Sequence, residues 1–206
     1  MNLPVVPVYG LLQWLTAPWL HWQKPAGGRQ VYLTFDDGPH PEVTPRVLDI
    51  LERHGARATF FLLGRHAARY PALTARIRAS GHRVGNHGQE HLNGWLMPAH
   101  KVLDNAERGY GVTGSRLFRP PFGRLGPSQA KALYGRGFQT WMWSVSSRDY
   151  DARQSPEDCL RRTLSRTTDG SVVLFHDSPL AAGNCLYVLP RLLEQLSAGG
   201  HAFKTL

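Results

Sequence analysis

The chain has 206 residues, 42% of them hydrophobic and 19% charged, with a formal net charge of +9. That length and balance suit one globular domain with a large core, and exclude a disordered or fibrous chain. The Lys and Arg residues are scattered, with no basic run longer than two. A dispersed positive surface is therefore expected rather than a nucleic-acid partner, and an anionic polymer is the alternative the charge leaves open.

In chain order, residues 1–30 read as a segment that packs on a domain spanning 31–206. Leu11, Leu12, Trp14, Leu15, Trp19, Leu20 and Trp22 suggest a short amphipathic helix there. The segment has no basic start, and Pro, Gln and His interrupt it. It lacks the order of a signal peptide and is too broken for a transmembrane span. Cytoplasmic placement is the expectation, with an extracytoplasmic one left open. A monomer is expected.

Beyond residue 30 the pattern alternates. Strands are predicted at 31–35, 58–63, 83–86, 117–119, 138–145, 171–175 and 202–205. Helices are predicted at 41–54, 65–79, 98–110, 128–134, 155–165 and 188–197. Alternation of this kind implies a parallel sheet, open or closed into a barrel. Cys159 and Cys185 show no motif spacing and are expected as free buried thiols.

The polar residues of interest follow strands. Asp36 and Asp37 end the first one, before Gly38-Pro39. Neighbouring strand side chains diverge unless the backbone bends, and Gly38 allows a bend. Two carboxylates this close repel unless a cation takes one, which leaves the other as a general base. His87 and His91 stand at i and i+4, a spacing that gives them one face if the segment is helical. Joined with Asp37 they make a facial two-His, one-carboxylate set for Zn²⁺, Co²⁺ or Fe²⁺. Arg119, ahead of Pro120-Pro121, would hold Asp36 ionised and aimed. Trp143 and Tyr150 can line a sugar groove, whereas Trp141 reads as core. His176 follows an apolar strand and becomes a general-acid candidate if it sits at a barrel mouth.

The ordered set Thr34-Phe35-Asp36-Asp37-Gly38, His87-x3-His91, Arg119-Pro120-Pro121-Phe122, Arg148-Asp149-Tyr150 and Leu174-Phe175-His176 resembles the polysaccharide deacetylase family, the NodB homology domain of carbohydrate esterase family 4. The resemblance implies a distorted, incomplete (β/α) barrel of about seven parallel strands. It implies metal-dependent N-deacetylation of an N-acetylated sugar or polysaccharide, with one divalent ion, Zn²⁺ first and Co²⁺, Fe²⁺ or Ni²⁺ as alternatives. By motif, Asp36 resembles the catalytic base, and Asp37, His87 and His91 the metal ligands. Arg119 resembles the residue that orients the base, and His176 the acid with Asp149 as partner. The Phe122 N–H matches an oxyanion donor.

The sequence departs from that pattern in four places. Gly88 stands where the family has Ser or Thr, a hydroxyl that braces the ligand loop. Ser146 replaces an Asp, Tyr150 a Trp, and Phe122 a common Tyr. Other classes remain as rivals: a related C–N hydrolase such as a deformylase or cyclic-imide hydrolase, a carbohydrate-binding pseudoenzyme, or an anionic-polymer binder.

Overall fold

A computed structural model describes residues 18–206. Its strands are β1 (Leu20–His21), β2 (Gln30–Asp36), β3 (Ala58–Leu62), β4 (Arg83–Asn86), β5 (Leu117–Phe118), β6 (Gln139–Trp141), β7 (Val145–Ser146), β8 (Val172–His176) and β9 (Ala202–Phe203). Between them lie α1 (Val43–Arg53), α2 (Gly64–Arg69), α3 (Pro71–Ala79), α4 (Ala99–Thr113), α5 (Pro127–Gly135), α6 (Pro156–Arg166) and α7 (Ala182–Ala198).

Every strand pairing is parallel, in the order β1-β6-β5-β4-β3-β2-β8-β7, with β9 alongside the start of β2. The path does not close on itself, so the architecture is the expected incomplete (β/α) barrel. Strand β2 is its spine, buried on both faces from Val31 to Asp36, as a central parallel strand must be. Phe35 stacks on Phe60 and Phe175 at centroid distances of 4.9 and 5.8 Å. Around this stack α1 packs Val43, Val47, Leu48 and Leu51, and α7 packs Val188, Leu189, Leu192 and Leu193. Spacings of three and four put each set on one helix face. Cys159 and Cys185 are free and buried, as expected.

Among the described residues the sheet holds nine strands rather than about seven, for two reasons. The run 138–145 splits into β6 and β7, which pair with different neighbours. Arg119 takes the Trp141 and Met142 carbonyls just where the run divides. The other added strand is β1, which pairs Leu20 and His21 with Thr140 and Trp141. Residues 20–21 are therefore strand, not helix; the remainder of the predicted amphipathic helix, up to residue 17, lies outside the described residues. The predicted helix 65–79 is two, α2 and α3, divided at Tyr70. The residue before a proline is pushed out of the helical region, and Pro71 then opens α3. Helix α7 begins earlier than predicted and carries Pro190 in its interior. No helix among the described residues is long and apolar enough to cross a membrane.

Candidate active site

The strands end together, and the side chains that follow them meet. Asp36, the last residue of β2, is in register with His176 of β8. His87 and Arg119 come directly after β4 and β5, with the His87 N–H bonded to the Leu62 carbonyl and the Arg119 N–H to the Asn86 carbonyl. A cavity of about 380 Å³ opens here, lined by Asp36, Asp37, His87, His91, Trp143 and His176. Phe122, Tyr150 and Leu180 stand at its rim, all exposed.

Asp36 and Asp37 do diverge, and the chain turns at Asp37 itself, with φ +79°, rather than at the more permissive Gly38. Gly38 is needed for a different reason: a Cβ there would strike the Asp177 carboxylate. Asp36 points inward, 3% exposed, with Oδ1 accepting from Arg119 Nη1 at 2.9 Å. Arg119 is wholly buried. It also donates to Thr34 Oγ1 and to the Trp141 and Met142 carbonyls, and lies 4.1 Å from the Phe61 ring centroid. One guanidinium thus has four oxygen partners, which locks it and aims Asp36.

Asp37 turns the other way, toward two imidazoles. Its Oδ1 lies 3.6 Å from His87 Nε2 and 3.3 Å from His91 Nε2. That oxygen is buried and makes no hydrogen bond, and the three ligand atoms lie within 4.8 Å of one another. Burial alone would push the Asp37 carboxyl up, but the His91, His87 and His176 imidazoles outweigh it and hold it below the usual carboxylate range. His87 Nδ1 is 2.8 Å from the Arg119 carbonyl. A carbonyl only accepts, so the proton sits on Nδ1 and the Nε2 lone pair faces Asp37. Burial, the largest influence, pushes the His87 pKa down and favours that neutral ring. An orphaned carboxylate oxygen facing two imidazole nitrogens fits a divalent cation.

The two histidines meet without a helix. Residues 87–93 form a loop in which Gly88 adopts φ +83°. Asn86 Oδ1 accepts from the Gly88 N–H, and Asn105 bonds both the N–H and the carbonyl of Glu90. A Cβ on Gly88 would strike Asn105 Nδ2. Where the resemblance implies a bracing hydroxyl, two asparagine side chains brace the loop, and Gly88 makes room for one of them. Asn105, on α4, carried no signal in the sequence.

Opposite the Asp-His-His cluster stands His176, with Nδ1 2.8 Å from Asp149 Oδ1. Burial would lower the His176 pKa, but Asp149 outweighs it by charge and hydrogen bond and raises it to about 9. Tyr150 sets its ring edge-on to His176 at 5.2 Å. Trp143 packs over Gly123, where any Cβ would meet it at 2.5 Å, and Phe122 lies 4.3 Å from His91, centroid to centroid. Ser146 ends β7 and pairs with Leu174. All ten predicted site residues line this cavity or brace a residue that does.

Sequence reasoning gave no role to Asp177. It is fully buried behind Gly38, accepts from Thr44 Oγ1, and donates its own N–H to the Asp36 carbonyl. It braces the loop that carries both aspartates. Its place next to His176 was the one available signal.

The chain is similar to several known proteins. Residues 23–141 match the family model described as polysaccharide deacetylase. A peptidoglycan-N-acetylglucosamine deacetylase of Bacillus cereus is 32% identical over 89% of each chain. A chitooligosaccharide deacetylase of Azorhizobium caulinodans is 36% identical over 71% of this chain and 73% of its own. The crystal structure of the Bc1960 peptidoglycan N-acetylglucosamine deacetylase, in complex with 4-naphthalen-1-yl-N-oxidanyl-benzamide, superposes with a TM-score of 0.88. It shares 29% identity over 94% of each chain.

Proposed function

This chain belongs to the polysaccharide deacetylase family and is a hydrolase of that kind; we propose that it cleaves the N-acetyl group from N-acetylglucosamine units of a glycan, with the residue roles that follow. The relatives named above act on peptidoglycan and on chitooligosaccharides, and both carry that group. The observation that carries the reading is the division of labour at the end of β2. Asp36 is clamped by Arg119, and Asp37 is turned by a positive φ into the imidazole pair.

Asp37, His87 and His91 would hold the divalent ion, and Zn²⁺ suits two imidazole nitrogens and a carboxylate, with Co²⁺, Fe²⁺ and Ni²⁺ as substitutes. Bound there, such an ion supplies Lewis-acid polarisation of the amide carbonyl and lowers the pKa of water. Asp36 takes the proton of the attacking water through Oδ2, since Oδ1 is engaged by Arg119. Arg119 keeps that carboxylate fixed in direction. The Phe122 N–H, at the rim, donates to the oxyanion as the carbonyl carbon becomes tetrahedral. His176, protonated and oriented by Asp149, gives its Nε2 proton to the departing amine. One water and one amide thus become acetate and a free amine. Trp143 and Tyr150 flank the sugar ring.

The test is acetate release from β-1,4-linked N-acetylglucosamine oligomers by the Zn²⁺-loaded protein. Product carrying one free amine per acetate supports the reading. Oligomers that bind without releasing acetate would reject it in favour of a binding protein, and formate release or imide opening would point to a different C–N hydrolase.

A further inference from the structure

Leu63, Gly64, Arg65 and His66, where α2 begins, each donate a hydrogen bond to the two loops that carry the Asp-His-His cluster. The Leu63 N–H donates to the Gly38 carbonyl at 3.0 Å, the Gly64 N–H to the Gly88 carbonyl at 2.8 Å, and the Arg65 N–H to the Gln89 carbonyl at 3.2 Å. His66 Nδ1 lies 2.8 Å from the Asp37 carbonyl. A carbonyl only accepts, so that nitrogen carries the proton and donates it. Leu63 and His66 thus hold Asp37 and Gly38, and Gly64 and Arg65 hold Gly88 and Gln89. None of the four donors belongs to the Asp37, His87 and His91 set.

The carbonyls taken are those that the local chain secures least. Asp37 and Gly88 both have positive φ, +79° and +83°. An L-residue such as Asp37 keeps that conformation only where its surroundings hold it. The direction of its carboxylate follows from its backbone, so a bond to its carbonyl helps to fix where Oδ1 points. The junction with the other loop is close: a Cβ on Gly64 would strike the Gln89 side chain. Outside it, Arg65 pairs with Glu90 at 3.0 Å, and both side chains are exposed. Three of the four donors are main-chain N–H groups, which any residue but proline supplies. The bond from His66 is the one that depends on a side chain.

We propose that His66 is a positioning residue for the metal centre: through the Asp37 carbonyl it holds Asp37 in its left-handed turn, and with the N–H groups of residues 63–65 it locks the Asp37 loop to the loop of His87 and His91. The proposal rests on the reading of Asp37, His87 and His91 as the ligands of a divalent ion. A tight site needs its donor atoms in place before the ion arrives, because ordering them on binding costs affinity. Two loops that meet only through the ion would have to be ordered by it. Here α2, which supplies no ligand, joins them beforehand, and groups that hold a ligand from behind raise metal affinity in this way.

The experiment titrates the metal-free full chain with Zn²⁺ in competition with a chromophoric chelator. His66→Phe keeps a ring and loses the donor, and its Kd for Zn²⁺ should rise about 10–100-fold over the parent's. His66→Asn places an amide N–H where Nδ1 stands and should recover most of that loss. Arg65→Ala gives up only an exposed ion pair and should stay within about twofold of the parent. At saturating Co²⁺ the visible absorption of His66→Phe should differ from the parent's, and that of His66→Asn should match it. That spectrum reads the geometry of the site, which a loss of stability alone would not move. A Kd for His66→Phe equal to the parent's, whatever its metal-free Tm, would overturn the proposal. So would an equal loss in Arg65→Ala, or a failure of His66→Asn to recover any affinity. The metal reading fails separately, if Asp37→Asn binds Zn²⁺ as tightly as the parent. A parent that binds Zn²⁺ here and releases no acetate would lose the deacetylase reading and leave the role of His66 intact.

Discussion

His176 and Asp149 are joined twice. The Nδ1–H of His176 donates to Asp149 Oδ1 at 2.8 Å, and its backbone N–H donates to Oδ2 at 2.7 Å. Both carboxylate oxygens are spent on one residue, and Asp149 is itself 1% exposed. The ring can neither flip nor shift without breaking a charge-assisted bond.

This pair makes a pH prediction. The His176 pKa is raised to about 9 from 6.5, so the acid stays protonated through neutral pH and the alkaline limb of kcat should lie near 9. Asp149→Asn should move that limb down toward about 6.5. The same shift bears on stability: the contribution is complete below about 6.5 and is lost as pH rises through about 9. His176→Ala should cost about 10²–10⁴-fold in kcat at unchanged metal content, and adding Asp149→Asn to it should cost little more. Losses that multiply in the double variant would show that the two residues act separately.

Asp36 and Asp37 should fail differently. Asp37→Asn removes the negative charge that faces His87 and His91, so the protein should leave a chelator-free column with little bound Zn²⁺. Asp36→Asn should retain about one ion per chain and lose turnover. Elemental analysis of both, alongside activity before and after chelation and after adding Zn²⁺ or Co²⁺ back, checks this. Equal metal loss in the two variants would contradict the assignment.

Arg119 should matter to the fold as well as the chemistry. Arg119→Lys would strand the Trp141 and Met142 carbonyls and part of the bond to Asp36, all in a fully buried site. Breaking a buried pair costs about 3–5 kcal/mol, which for a domain of this size lowers Tm by roughly 10 °C. Thermal unfolding of metal-free and metal-loaded protein measures it. A shift of under about 2 °C would mean that the pocket relaxes around the smaller cation.

Asp177 gives a pH signature of the same sign as His176 in a lower window. Burial, with the charges of Asp37 and Asp36 adding to it, raises its pKa to about 7 from 3.8, against the Thr44 hydrogen bond that lowers it. Its stabilising contribution is complete below about 3.8 and is lost as pH rises through about 7. Asp177→Asn cannot titrate, so its Tm should gain on the parent's as pH climbs through that window. A Tm difference that stays constant with pH would rule this out.

The sequence by itself determined which strands carry chemistry and which side chains those are. Val31 to Phe35 reads as a buried strand because its residues fit a pleat, and Asp36, His87, Arg119 and His176 each stand at the end of such a run. That information is local, carried by period and by breaker residues. Tertiary structure alone decided how the ends meet. The Asp149–His176 bond spans 27 residues and Arg119–Asp36 spans 83, and no periodicity encodes such a closure. Three local features share one cause. His87 and His91 share a loop rather than a helix, because Asn105 on α4 ties the Glu90 backbone. The run 138–145 breaks where Arg119 takes its carbonyls, a demand made by a residue about twenty positions earlier. The turn of the chain falls at Asp37 rather than at Gly38, whose missing side chain leaves space for Asp177. In each case a buried polar group needed a partner from a distant segment, and satisfying it outweighed the preference of the local chain.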